Sequence, residues 1–157
     1  MKGTTETWHR FWRLSGFERG IALEAAAALV ATWVGLRLAG FRRWQAALAW
    51  FAPPPAAYIT EQNSVNSARM IARMEQSAAN HLFFRANCLE QSLTLSWLLH
   101  RRGIAAELRI GARKDAGRFE AHAWVESNGV VLNDTSESHL HFVPFDGPVS
   151  AMETQAP

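Results

Sequence analysis

One cysteine and two groups far downstream of it are the residues of this chain best suited to chemistry. Cys88 is the only cysteine among the 157 residues, and it opens the apolar run "CLEQSLTLSWLLHRRG" directly after Asn87. A thiol attacks as a thiolate, which the free N–H groups at a helix N-terminus stabilise. His122 could accept the thiol proton, and Asp134 could orient that histidine. The order Cys, His, Asp therefore indicates nucleophilic catalysis through a thioester.

Each of these residues also has a purely structural interpretation. A lone cysteine is by default a small buried side chain, His122 could be a satisfied core histidine, and an Asp at a strand end often bonds its own backbone. The helix start at Cys88 and the downstream histidine favour catalysis over packing.

The elements that must position these residues follow from periodicity and from breaker residues. We predict helices at about Trp8–Trp50 with a stop at Gly40, at Glu61–Asn80 and at Cys88–Arg102, and strands at about Ala106–Gly111, Phe119–Ser127, Val130–Asp134 and Leu140–Phe145. The prolines of Ala52–Ala56 break the helical part, and Gly103 ends the cysteine helix. Helices followed by a small antiparallel sheet make an α+β fold.

The cysteine helix is predicted to be central. On a wheel of about 100° per residue, Cys88 and Ser92 share one face with Leu95 and Leu99. Apolar residues fill most other directions. A narrow polar stripe remains, formed by Glu90, Thr94 and Arg101. Such a helix is covered on most sides, and we expect the polar stripe to be structural or solvated.

The residue that orients His122 depends on the hairpin at Asn128-Gly129. A two-residue loop pairs Ser127 with Val130 and places Asn133 on the histidine face. A three-residue loop with Gly129 as a bulge pairs Glu126 with Val130 and places Asp134 opposite His122. Spacing alone leaves both registers open.

Two stretches together resemble a known family. "NCLEQSLTLSWLLHRRGIAAELRIGARK" and "FEAHAWVESNGVVLND" are similar to the transglutaminase-like cysteine peptidases of lasso-peptide biosynthesis. The resemblance implies a papain/transglutaminase-like core, with the cysteine helix packed on the sheet. It implies a triad of Cys88, His122 and Asp134, and hence the bulged turn. Asn133 is the alternative orienting residue.

The resemblance also implies a biological role and its partners. The family removes the leader from a ribosomally made precursor peptide, and a separate macrolactam synthetase then closes the ring. We expect a separate leader-recognition protein, because the first 80 residues read as helical. Alternatives are a transglutaminase-type acyltransferase and a non-catalytic scaffold that binds the precursor. The oxyanion would be bound by the backbone N–H of Cys88, with Asn87, Asn80 or His81 as candidates for the second donor.

Residues 1–52 are predicted as a helical segment that packs on or docks to the core, 56–147 as the peptidase core, and 148–157 as a flexible tail.

A formal charge of +2 is too small to indicate nucleic-acid binding. We expect no cofactor and no metal, although His139 and His141 would share a face on a strand and form a candidate metal pair. A lone thiol suggests the cytoplasm. The apolar stretch Ile21–Gly40 contains Glu24 and Arg37, so we expect a packed helix or membrane-surface contact rather than a span.

Overall fold

The computed structural model describes residues 14–51, 61–115, 117–134 and 137–145. The elements in chain order are α1 (Gly16–Phe51), α2 (Glu61–Ala79), α3 (Cys88–His100), β1 (Glu107–Asp115), β2 (Arg118–Ser127), β3 (Val130–Val131), a 3-10 helix (Ser138–His141) and β4 (Val143–Pro144). The strands form one antiparallel sheet in the order β3-β2-β1-β4. The predicted α+β arrangement is confirmed. The proline break, the start of the predicted first helix and the predicted tail lie outside the described residues.

Helix α1 consists of two helices joined at Gly40, as the sequence predicted. Gly40 has φ 75° and ψ 171°, which is not a helical conformation and is one that glycine adopts readily. The shorter second helix folds back on the first. The closeness of Gly35 and Trp44 shows this, since a Cβ atom on Gly35 would lie 2.2 Å from the ring of Trp44. Nine residues of straight helix would separate the two residues by about 13 Å.

Polar side chains join α1 to α3 at three levels. The contacts run in opposite directions along the two helices, so the helices are antiparallel. They are Glu24 with Arg101 and Arg102, Thr32 with Thr94, and Arg37 with Glu90. Two of the three positions of the predicted polar stripe, Glu90 and Thr94, are buried. The stripe therefore faces another helix rather than water.

These contacts explain the two charges in the most apolar part of the chain. By length and composition alone α1 could cross a membrane, with 28% of its most apolar window buried within the protein. The core helix of a soluble protein meets the same criteria. Its buried face, with Ile21, Ala25 and Leu29, packs in the same core as α2 and α3, and its charged residues Glu24 and Arg37 are both paired.

Helix α2 places one carboxyl group in the core. Glu75 is fully buried, and within the described part of the chain neither of its carboxyl oxygens has a hydrogen-bond partner. Burial raises the pKa of Glu75 to about 8, because a charge is poorly solvated there. Glu75 is therefore mostly protonated at neutral pH.

The two faces of the sheet have different neighbours. Leu108 pairs with Val125 across β1 and β2, and both side chains pack in the core shared with α3. Alternation places His122 and Trp124 on the opposite face. Strand β1 continues to Asp115, where it pairs with Arg118. It therefore extends beyond Gly111, where the first strand was predicted to end.

The segment after β3 crosses to the far edge of the sheet over the face that carries His122. The ring of Phe142 lies 5.3 Å from the ring of His122, and β4 then pairs with β1. Gly111, opposite His122, permits this passage, because a Cβ atom there would lie 3.0 Å from Phe142 and from Trp124. His139 and His141 lie in the 3-10 helix and not on a strand, so the shared strand face considered for a metal pair does not form.

Candidate active site

Cys88 is the first residue of α3, and a capping box fixes that helix end. The side-chain oxygen of Asn87 accepts a hydrogen bond from the Glu90 N–H at 2.9 Å, and the Asn87 N–H donates to Glu90 Oε2 at 2.9 Å. Asn and Glu at this spacing are a known signature of helix N-termini. Cys88 itself is half-buried. The N–H of a first helical residue has no intrahelical acceptor, so it can serve an oxyanion.

The same glutamate connects the cysteine helix to α1. Glu90 is only 2% exposed, and its Oε1 lies 2.9 Å from Nη1 of Arg37. One carboxylate therefore caps α3 and anchors it to the neighbouring helix. The described contacts of Asn87 are those of a helix cap, and its proposed place beside the oxyanion stays a prediction. His81 follows α2, and its ring nitrogen Nδ1 lies 2.6 Å from Ser77 O of that helix.

The hairpin between β2 and β3 has the tight register. Ser127 pairs with Val130 and Glu126 with Val131. Asn128 and Gly129 have φ of 49° and 72°, as a type I′ two-residue turn requires. The prediction of a bulge at Gly129 is therefore wrong.

Asp134 reaches His122 all the same, because β3 ends after Val131. Leu132 still donates its N–H to Val125 O at 3.0 Å. The next ladder position is taken by a side chain, since Val125 N–H donates to Asn133 Oδ1 at 2.8 Å. Strand alternation no longer applies beyond that point. Oδ2 of Asp134 lies 3.4 Å from Nε2 of His122.

Asn133 also ties this sheet edge to the cysteine helix. Its Nδ2 donates to Ser92 Oγ at 2.8 Å. Ser92 lies one helical turn after Cys88, on the same face of α3. The residue beside Asp134 is thus anchored to the face of α3 that carries the cysteine. Of the two orienting candidates, the structure places Asp134 beside His122 and uses Asn133 as a bridge.

The structure brings two of the three predicted triad residues into direct contact. Asp134 is 3% exposed and His122 is 20% exposed. Their 3.4 Å separation is longer than an ordinary hydrogen bond. Because Asp134 faces Nε2, Nδ1 is the nitrogen of His122 left for a thiol. No hydrogen bond joins Cys88 to His122 among the described contacts, and catalytic hydrogen bonds are often long without substrate.

His139 is the site residue that sequence reasoning did not place. Its Nδ1 lies 2.9 Å from Oδ2 of Asp134, and its backbone N–H donates to the same oxygen. The sequence suggested only that His139 and His141 could form a metal pair. It contains no periodic pattern that predicts the 3-10 helix. Among the residues described, no group of three or more His, Cys, Asp or Glu could hold a metal ion.

The comparison with known families covers all the elements that carry Cys88, His122 and Asp134. Residues 28–145 match the family described as "Transglutaminase-like superfamily". This match covers most of the chain and ends at Phe145, just after β4, so the chain belongs to that superfamily. The predicted transglutaminase-like fold is confirmed.

A more specific relationship covers a shorter stretch. The chain is 39% identical over 75 residues to "Microcin J25-processing protein McjB" of Escherichia coli. The aligned part is 45% of this chain and 35% of that relative, so the chain spans about a third of the length of the curated relative it matches. No solved structure matched the chain.

Proposed function

We propose that this protein is a cysteine peptidase that removes the leader from a ribosomally made lasso-peptide precursor. Cys88 is the nucleophile, His122 the general acid and base, and Asp134 the group that orients His122. The observation that carries the proposal is the position of the His122–Asp134 pair, at a sheet edge that Asn133 bonds to the Cys88 face of α3. The superfamily and the processing role in the relative's name support it.

The proposed reaction uses these residues in two stages. The Cys88 thiolate attacks the carbonyl carbon at the junction of leader and core, and the oxyanion binds the Cys88 N–H. The C–N bond then breaks, and the His122 imidazolium gives its proton to the leaving amine of the core. His122 next takes a proton from water, which attacks the thioester. The C–S bond breaks, releasing the leader acid and restoring the thiolate.

The proposal includes the setting of the reaction. A free thiol nucleophile suits the reducing cytoplasm. The precursor is presented by a separate leader-recognition protein. A macrolactam synthetase then uses the freed amine. The chain alone is expected to bind the precursor weakly.

The test is reconstituted cleavage, followed by mass spectrometry. A lasso-peptide precursor and a leader-recognition protein that binds it are mixed with wild-type protein, with Cys88→Ala and with Ser96→Ala as a control on the same helix. We expect free leader acid and free core from the wild type and from Ser96→Ala, and none from Cys88→Ala. Unchanged cleavage by Cys88→Ala would overturn the proposal.

The superfamily also favours a second candidate, an acyltransferase that uses the same thioester. In that case an amine takes the place of water as acceptor. Adding a primary amine to the same mixture separates the two functions. A leader amide without any leader acid would replace the peptidase by the acyltransferase. Precursor binding without either product would indicate a non-catalytic scaffold.

A further inference from the structure

We propose that His139 is a positioning residue, which holds Asp134 in place for His122. This inference rests on the proposed function of the triad. The observation behind it is that Oδ2 of Asp134 lies closer to Nδ1 of His139, at 2.9 Å, than to Nε2 of His122, at 3.4 Å. His139 also donates its backbone N–H to that oxygen.

The chemistry of the contact assigns the proton. An ionised carboxylate can only accept hydrogen bonds, so Nδ1 of His139 carries the hydrogen that is donated. Two donors from one residue fix Oδ2 in direction. Hydrogen bonds to the ionised carboxylate also favour that form. A carboxylate fixed before the reaction needs no reorganisation when His122 becomes an imidazolium.

The position of His139 is itself well determined. Its ring lies 5.9 Å from the ring of Trp124, a buried residue of β2. Trp124 in turn stacks near His122 at 5.9 Å. Trp124 therefore neighbours both histidines, and both histidines contact the same oxygen of Asp134. His139 is 18% exposed, which leaves it little freedom to leave the site.

Four other charged residues on this face of the sheet form ion pairs with each other. On β1 and β2, Arg109 lies 3.5 Å from Glu126, and Arg113 lies 2.6 Å from Glu120. Arg113 also lies over the ring of Phe142. On the 3-10 helix, His141 is exposed. The carboxylate of Asp134, by contrast, is in direct contact with both His122 and His139.

The test uses the lone cysteine as a reporter. The rate at which iodoacetamide alkylates Cys88 is measured across pH, because it follows the thiolate that the His122–Asp134 pair stabilises. We compare His139→Ala, His139→Asn and His139→Gln with wild type, and His141→Ala is the control. The Asn amide can place an N–H near the position of Nδ1, whereas the Gln amide lies one bond further out.

We expect His139→Ala and His139→Gln to alkylate about tenfold more slowly at neutral pH, as the loss of one charge-assisted hydrogen bond allows. Their profiles should shift to higher pH. His139→Asn and His141→Ala should match the wild type. In the cleavage assay kcat should fall in the same order while KM stays constant. Thermal melting shows which variants fold. If His139→Ala does not fold, the comparison of the polar His139→Asn and His139→Gln variants still tests the inference.

Two results would overturn the inference. In one, folded His139→Gln keeps the wild-type alkylation profile. In the other, His139→Ala loses all cleavage while His122→Ala retains it, which would make His139 the base. If neither the wild type nor any variant cleaves the precursor, the proposed function fails, yet the alkylation profiles still decide the role of His139.

Discussion

Nη1 of Arg37 lies 2.9 Å from Oε1 of Glu90, and this ion pair joins α1 to the residue that caps the cysteine helix. Glu90 accepts the Asn87 N–H with its other oxygen. At this end of α3, the apolar helix thus helps to position Cys88 through the buried carboxylate of Glu90. Disturbing that carboxylate should affect both the stability of the fold and the reactivity of the thiol.

We expect Glu90→Ala to lower the free energy of unfolding by about 3 kcal/mol, because a cap and a partly buried ion pair are lost together. Alkylation of Cys88 should slow in the folded protein. Glu90→Gln keeps an acceptor for the Asn87 N–H and should lose less. Glu120→Ala, which breaks the exposed pair with Arg113, is the control, with an expected loss below about 1 kcal/mol. Urea titrations measure these losses, and equal losses for Glu90→Ala and Glu120→Ala would contradict the expectation.

Glu75 should make stability depend on pH. Its carboxyl titrates near 4.5 in its ordinary state, and burial raises its pKa to about 8 in the folded protein. Between these values the folded state keeps a proton that the unfolded state releases. The stability contribution is therefore complete below pH 4.5 and is lost as pH rises through about 8, on the order of a few kcal/mol in total.

We expect Glu75→Gln to remove this contribution to the slope of the free energy of unfolding against pH, since a neutral amide of the same shape does not titrate. Melting temperatures at pH 6, 7 and 8 for wild type, Glu75→Gln and the exposed Glu107→Gln measure it. The melting temperature of Glu75→Gln should rise relative to that of the wild type as pH increases, and that of Glu107→Gln should not. Parallel curves for all three proteins would show that Glu75 is ionised or solvated in the fold.

Asn133 should matter for assembly of the site rather than for chemistry. Asn133→Ala loses the bonds to Val125 N–H and to Ser92, with an expected cost of about 1–3 kcal/mol. Cleavage should fall partially, whereas Asp134→Ala should abolish it. Ser92→Ala removes one of the two bonds, so the double variant should cost less than the sum of the single ones. If Asn133→Ala abolished cleavage at full stability, Asn133 would be the orienting residue instead.

Gly35 should not tolerate a side chain. A Cβ atom there would lie 2.2 Å from the ring of Trp44, so Gly35→Ala must displace a large packed side chain. We expect a loss of about 1–3 kcal/mol. Gly20, on the same helix, has no atom within 4 Å of a built Cβ, and Gly20→Ala should gain up to about 1 kcal/mol. Thermal melts compare the two, and a stabilised Gly35→Ala would show that α1 does not fold back.

Sequence reasoning predicted the elements whose signals are local. The helix start at Cys88, the apolar wheel after it and the hairpin at Asn128-Gly129 each depend on a few neighbouring residues. The stop at Gly40 also follows from one residue. These features specify a helix that begins at the cysteine and a hairpin that carries the histidine.

Apart from the bulge at Gly129, which the family resemblance implied, the errors concern contacts between distant parts of the chain. Where β3 ends depends on Asn133, whose side chain replaces the backbone at Val125 and reaches Ser92. No spacing rule encodes that choice. The polar stripe on α3 gave no sign that its partners lay on α1, because a paired stripe and a solvated stripe have the same composition. His139 was missed because its role depends on where the segment after β3 crosses the sheet.

The pairing of α1 with α3 has a practical consequence for anyone who exchanges or trims segments of this protein. A chain that started at Ala56 would lack Arg37, Thr32 and Glu24. These residues are the partners of Glu90, Thr94 and Arg102, in and just after the helix that carries the nucleophile. Cutting at the proline break would therefore not yield an independent peptidase. Any chimera that keeps the cysteine helix must also bring Glu24, Thr32 and Arg37, or matched substitutes, at the same spacing.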